Sequence, residues 1–295
     1  MDINAASLGD LNTTYSAAFR KGLDIAPTNL SAPFTMEVPS QGPVNKYPFL
    51  GAFRGFREWV GPRIFNQLQS YSYVIENKLW EDGFEMNRVE IEDDQVGLYS
   101  TIAQELGVEA QKQRDQVIFD LIINGGTTVC YDGQPFFDTA HPVGTTTFSN
   151  DLGGAAEAWY LFDASRTVKP LIFQNRLPPE FTAKTSSNDE SVFLEDIFRW
   201  GARIRNNAGF GIPQTAVRSN EPLTEATYLA AKAAMRSFPN DEGKPMGNRP
   251  TVLVVGASNV DVALKLFSQT LVGGGDSNYL KFQGINIVEA DRFLP

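Results

Sequence analysis

Five prolines, Pro27, Pro33, Pro39, Pro43 and Pro48, fall within 22 residues, and this density constrains the chain more than any other feature. Each fixes φ and removes a backbone donor, so neither a helix nor an interior strand can run through the stretch. What remains is an extended arm with little of its own chain to pack against, and such an arm is expected to lie on a neighbour. Ahead of it, residues 5–23 place Leu8, Leu11, Tyr15, Ala18 and Phe19 on one face of an amphipathic helix.

Beyond the arm the period shortens. Ser72–Trp80 alternates, Glu81-Asp82-Gly83 reads as a turn, and Phe84–Ile91 alternates again, which predicts a long two-stranded hairpin. Its mixed polarity makes it marginal alone, so it too is expected to lie across another copy. Asp93-Asp94 then starts the longest element, capping a helix and favouring the positive end of its dipole. Val96, Tyr99, Ile102, Ala103, Leu106, Ala110, Val117, Ile118, Leu121 and Ile122 keep mainly three-and-four spacing, and Asn124-Gly125-Gly126 ends the run. Such a rod is about 45 Å long, with Gly97 and Gly107 as points where it can bend. Tyr160 to Val217 reads mostly as strands. A helix capped by Thr224 (Glu225–Phe238), a buried strand (Thr251–Val255), a helix capped by Ser258 or Asn259, a loop at Gly273–Asp276 and a strand (Ile285–Val288) make a compact α/β piece.

Charge and rare residues narrow the chemistry. With 25 Lys and Arg against 35 Asp and Glu the net charge is −10, unsuited to gripping DNA, although the chain could line a DNA-filled space. One cysteine, Cys130, permits no disulfide within the chain, and no cysteine-based zinc site is expected. No apolar run of about 18 residues spans a bilayer, and the first residues lack a signal-peptide pattern. Gly256-Ala-Ser258-Asn-Val260 approximates a nucleophile elbow but lacks its final glycine; capping is the stronger reading. Gly273-Gly-Gly-Asp-Ser has no following lysine, so it is no phosphate loop, and Gly-x-Gly-x-x-Gly is absent. Asp132, Asp138 and His141 could ligate a divalent metal, yet Asp132-Gly133 and His141-Pro142 are ordinary turn dipeptides, and a turn is favoured. Glu90, Glu92, Asp93 and Asp94 sit where helix capping explains them. Asp189, Glu190, Glu195 and Asp196 precede Arg199, Arg203, Arg205 and Arg218. This change of sign suits contacts between identical subunits and a solvated surface about equally.

Several strings then occur in a recognisable order: Arg57-Glu-Trp-Val-Gly61, Tyr73-Val-Ile-Glu-Asn-Lys78, Ile91-Glu-Asp-Asp94, Cys130-Tyr-Asp-Gly-Gln134 with Phe136-Phe-Asp138 and His141-Pro142, Ser165-Arg166 with Lys169-Pro170 and Phe173-Gln174, Asn207-Ala-Gly-Phe-Gly211, Met235-Arg-Ser-Phe238 and Val288-Glu-Ala-Asp291. Through them the sequence resembles the Mu-like phage major head proteins, which carry the Hong Kong 97 phage capsid fold. The resemblance implies an α+β chain in which residues 1–48 form an N-terminal helix and N-arm and 49–84 an E-loop. It implies that 85–150 hold the peripheral domain with a spine helix at 94–124, that 151–220 complete that domain, and that 221–295 form the axial domain. It implies a major capsid protein, assembled in the bacterial cytoplasm into pentamers and hexamers of an icosahedral head around double-stranded DNA. Partners would be a separate scaffold protein (residues 1–45 being too short to hold one), a portal and a decoration protein. No membrane, cofactor, metal or catalytic residue is expected. Trp59, Tyr73, Ile75, Lys78, Trp80, Arg199, Arg203 and Arg205 are the expected subunit-interface residues. Of these Trp59, Tyr73, Ile75 and Trp80 should be exposed in a lone subunit and covered in the shell. Lys78 lies where some relatives crosslink, but no asparagine partner is specified. Two alternatives are an encapsulin-type cargo compartment of the same fold and a hydrolase using Ser258 and His141.

Overall fold

The structure is a computed structural model describing residues 4–26, 29–47, 58–60, 73–93, 98–186, 188–240, 242–270 and 277–294. The first half contains α1 (Ala5–Ile25), β1 (Thr35–Pro39), β2 (Val44–Lys46), β3 (Val74–Glu76), β4 (Lys78–Asn87), α2 (Arg88–Glu92), α3 (Leu98–Ile123), β5 (His141–Val143) and β6 (Thr146–Phe148). The second half continues with β7 (Asp151–Gly154), β8 (Trp159–Phe162), β9 (Leu171–Lys184), α4 (Glu190–Glu195), β10 (Ile197–Phe210), β11 (Ala216–Asn220), α5 (Glu225–Ser237), β12 (Val252–Val255), α6 (Ala257–Ser268) and β13 (Asn286–Glu289).

The α1 helix forms where its spacing predicts. Asn4 caps it with a reciprocal Ser7 capping box, and Leu11, Tyr15 and Phe19 are buried. It packs along the first half of α3, the predicted long helix, whose 26 described residues make a rod of about 39 Å. The start expected at Asp94 lies outside the described residues. Gly107 is where α1 crosses α3. A Cβ on Gly107 would stand 2.1 Å from the Phe19 carbonyl oxygen, and one on Gly22 would stand 2.0 Å from that of Gln104. The backbones therefore touch directly. Ile102, expected on the packed face, is exposed.

Further along, α3 turns Ile118, Phe119 and Ile122 into the main core, which they share with both sheets. The first sheet has the order β1-β9-β10-β4, and the second β13-β12-β8-β11-β7. The second is covered on both faces. Tyr160, Phe162, Val252 and Val254 face the α3 core, whereas Trp159, Leu161, Leu253 and Val255 join Tyr228, Met235, Ala263 and Phe267 beneath α5 and α6. Burial on two sides is why Thr251–Val255 reads as an unbroken apolar run. Thr224 caps α5 through a capping box, as expected. Neither Ser258 nor Asn259 caps α6, whose N-cap is Gly256; instead the Glu157 carboxylate accepts a hydrogen bond from the Ser258 N–H.

Three expectations are corrected. The first concerns the arm. Residues 30–39 lie on their own chain: Phe34 is fully buried, stacked on Phe162 with ring centroids 4.9 Å apart, and β1 pairs parallel with β9. The buried Asp115 carboxylate on α3 accepts hydrogen bonds from the N–H groups of Leu30 (2.9 Å) and Ser31 (3.0 Å) and from the Ser31 hydroxyl. The Lys169 ammonium donates to the Ala32 and Pro33 carbonyls at 3.1 and 2.9 Å. The prolines do exclude an interior strand, and β1 occupies a sheet edge with Pro39 at its end.

The hairpin also fails. Glu81-Asp82-Gly83 is no turn, for β4 runs through it and pairs antiparallel with β10, from Lys78 opposite Asn206 to Asn87 opposite Ile197. Phe84 stacks across the pair on Trp200 (5.4 Å), and Arg88–Glu92 is helical rather than extended. The stretch 151–220 divides as well. β9 and β10 join β4 in the first sheet, but β7, β8 and β11 belong to the second, beside β12.

Gly107→Ala should lower stability by about 1–3 kcal/mol, because the clash meets backbone that cannot rotate away; urea unfolding of the purified chain measures it, and an unchanged midpoint would contradict the close crossing. Asp115→Ala should cost about 3 kcal/mol by stranding buried donors of the arm, read from the same transition.

Candidate assembly surfaces

The described residues on either side of 48–72 are joined in a closed stem. The Tyr47 N–H donates to the Tyr73 carbonyl at 3.0 Å and the Asn77 N–H to that of Pro43 at 2.9 Å, bracketing the antiparallel β2–β3 pair. Beneath the stem the Tyr47 hydroxyl donates to Gln174 Oε1 (2.8 Å), and Gln174 Nε2 donates to Asn77 Oδ1 (2.8 Å) and to the Ile75 carbonyl (3.2 Å). Asn77 Nδ2 donates onward to Ser40 Oγ and the Gly42 carbonyl, both at 2.9 Å. Gln174, Asn77, Tyr47 and Ser40 are all buried, so each bond is made where water cannot replace it.

This stem corrects three of the expected exposures. Ile75 is buried with Tyr47, Ile172 and Ile212, in space left by Gly209, where a Cβ would lie 2.3 Å from Ile75 Cδ1. Tyr73 is half-buried; its hydroxyl accepts the Phe210 N–H at 2.9 Å, and burial pushes its pKa up to about 12. Trp80 is half-buried against the main core, its indole N–H aimed at the Asn206 carbonyl 3.4 Å away. These three hold the stem to the body. Lys78 is exposed, its ammonium 6.0 Å from the Trp80 ring centroid. Trp59 is exposed as expected, at 67 %, beside exposed Val60; of the expected E-loop (49–84), residues 49–57 and 61–72 lie outside the described residues.

Two more apolar surfaces stand out. Phe193, 80 % exposed, and Leu194 project from α4, which joins β9 to β10. Phe282, 79 % exposed, and Tyr279 lie on a single 3-10 turn between α6 and β13. Sequence reasoning missed both; the one available signal was the apolar Val192-Phe-Leu194 run set among acids. The arginines have partners within the chain. Arg199 pairs with Glu85 and Glu195, Arg203 with Glu180, and Arg218 with Asp151. Arg205 is half-buried on β10. Of the acids just upstream, Glu195 on α4 pairs with Arg199; the other partners lie on neighbouring strands, and the exposed pairs among them contribute little.

The chemical candidates resolve differently. His141 is fully buried: Nδ1 lies 2.7 Å from Asp132 Oδ2 and Nε2 lies 3.1 Å from the Phe136 carbonyl. Ser258 is exposed and is not among its partners, so the two form no nucleophile and base pair. Asp138 does not join His141; it accepts the Ala140 N–H at 2.8 Å in its own turn. Cys130 does join it, its thiol donating to Asp132 Oδ1 at 3.0 Å. Among the described residues no helix is long and apolar enough to cross a membrane.

A two-sheet α+β body with a long helix is that of a capsid subunit of the Hong Kong 97 type. The chain belongs to the Mu-like prophage major head subunit gpT family, whose model matches residues 8–292. It is 38% identical to the major capsid protein of Escherichia phage Mu over 99% of both chains, and 40% identical to the Mu-like prophage FluMu major head subunit of Haemophilus influenzae over 87% of both. A chain of the bacteriophage JBD30 procapsid has the same fold, with a TM-score of 0.83 and 36% identity, over 98% of this chain and 99% of that one. The protein is therefore a major capsid protein of a Mu-like tailed phage head, a structural component of the virion, and not the shell of a cellular cargo compartment.

Gln174→Leu should remove the bond between Gln174 and the Tyr47 hydroxyl and the one to Asn77 Oδ1, costing about 1.5 kcal/mol locally. The amides of Tyr47 and Asn77 should then exchange about tenfold faster, measured by hydrogen–deuterium exchange against the wild type.

Proposed function

We propose that residues 48–72 lie across the adjacent subunit as the E-loop, and that this overlap, with the apolar tips, closes the shell. The observation that carries the reading is the stem. A buried polar network holds together the described residues that flank 48–72, while Trp59 and Val60 between them present apolar surface to solvent. Phe193, Leu194 and Phe282 supply further apolar area of the kind that sits at the centre of an interface. Each contact is heterologous and repeated by rotation, so rings of five and six copies tile an icosahedron. Lys78, at the foot of the loop, faces the neighbour. Ion pairs of Arg199, Arg203 and Arg205 with acids of a neighbouring copy would set register more than affinity.

The remaining roles follow from charge and family. A chain of net charge −10 encloses double-stranded DNA without gripping it. A separate scaffold protein, a portal and a decoration protein act with it, and assembly takes place in the host cytoplasm. The chain carries no catalytic residue of its own.

Trp59→Ser and Phe282→Ser should each leave the purified chain folded, with an unfolding midpoint near that of wild type. Both should cut the yield of closed particles by about tenfold or more, a loss of about 1.4 kcal/mol per contact. Electron microscopy after co-expression with the scaffold protein counts the particles. Wild-type yield from the Trp59 variant would remove the loop from the interface.

A further inference from the structure

After α3 the chain folds into a tight turn held by its own backbone. The Cys130 N–H donates to the Gln134 carbonyl (2.8 Å) and the Gly133 N–H to the Cys130 carbonyl (3.2 Å), with Gly133 at φ +84°. The turn sets the Cys130 and Asp132 side chains side by side. β5 delivers His141 to the same point, its ring stacked on Phe148 at 5.0 Å. Sulfur, carboxylate oxygen and imidazole nitrogen all lie within 4.8 Å of one another, and Cys130 and His141 are buried.

We propose that Cys130, Asp132 and His141 are three ligands of a mononuclear divalent-metal site, with zinc as the cation that its donors select. Thiolate, imidazole and carboxylate are the three protein ligand types of zinc, and three of them with a solvent molecule complete a tetrahedron. The shell around them is that of a metal site. Nε2 of His141 is spent on the Phe136 carbonyl, which Asn150 Nδ2 also bonds at 2.8 Å. This is the outward bond by which a ligating histidine fixes its ring and frees its other nitrogen for the metal. Asp132 Oδ1 accepts the Gln134 N–H at 3.0 Å, leaving Oδ2 for coordination. The charges balance. The protons on the Cys130 sulfur and between Nδ1 and Asp132 leave to solvent, and one thiolate and one carboxylate neutralise the dication. No electron is transferred.

The site joins the turn after α3 to the β5–β6 pair, so it would act as a clasp within the subunit. It differs from the sequence expectation of no metal in taking Cys130, rather than Asp138, beside Asp132 and His141.

The test uses the full-length chain, stripped with chelator, dialysed and titrated with cobalt(II) and then zinc. One cobalt per chain should bind and give the visible bands of a tetrahedral site with a thiolate charge-transfer band in the near ultraviolet. Zinc should abolish both. In Cys130→Ala the charge-transfer band should vanish and zinc affinity should fall by about 100-fold or more, while Asp138→Ala should match wild type. A folded wild-type chain that gives no thiolate–cobalt band overturns the proposal without recourse to any variant. So does zinc binding that is equal in Cys130→Ala and wild type.

Discussion

The Asp115 carboxylate is the point from which the rest of the body is assembled. It lies buried on α3 and takes its hydrogen bonds from Leu30 and Ser31, so the chain that leaves α1 is returned to the middle of the same helix. That return places Phe34 between Phe119 and Phe162, and Phe34 in turn starts β1 along β9. A buried carboxylate is tolerable only with such partners, and the partners belong to the segment whose prolines deny it regular structure of its own. Helix, arm and first sheet are one arrangement rather than three.

A single core then serves two sheets with different duties. The first sheet has α1 and α3 on one side and presents alternating polar positions of β4 elsewhere. The second is sealed by α3 on one face and by α5 and α6 on the other. Phe210, at the end of β10, stacks on Phe136 at 4.2 Å, which ties the turn that bears Cys130 to the first sheet. The exposed apolar tips occur where each part is farthest from this shared core, at α4 and at the turn before β13.

Elements set by local pattern were legible in the sequence. The apolar face of α1, the α5 helix with its Thr224 cap, the buried run at Thr251–Val255 and the strand at Ile285–Val288 need only neighbours a few residues away. What was not legible is pairing at a distance. Alternation on either side of Glu81-Asp82-Gly83 predicts extended chain, but not that one strand runs through those three residues, nor that its partner is Ile197–Asn206, more than a hundred positions on. The arm was misjudged for the same reason, because Asp115 stands far from Leu30 in sequence and its carboxylate resembles any helix-surface acid. The arginines of β10 looked available because their glutamates, Glu85 and Glu180, lie on other strands. In the metal candidate, two of the three residues could be read from local spacing. Cys130 was overlooked because cysteine chemistry is usually sought in pairs. Of the assembly surfaces, Trp59 was legible as an aromatic in a turn-rich segment, whereas exposure of Phe193 and Phe282 depends on what fails to cover them.

The crossing at Gly22 and Gly107 limits how this subunit can change. At most packed positions an enlarged side chain is relieved by trimming the one opposite. Here the obstacle on each side is a carbonyl group of the main chain, which no replacement can shrink. Relief would require α1 to move as a rigid body, dragging Tyr15 and Phe19 out of their contacts with Trp200 and Phe181. Second-site suppressors of a bulkier residue at either glycine should therefore be found along the aromatic seats of α1, not at the facing glycine.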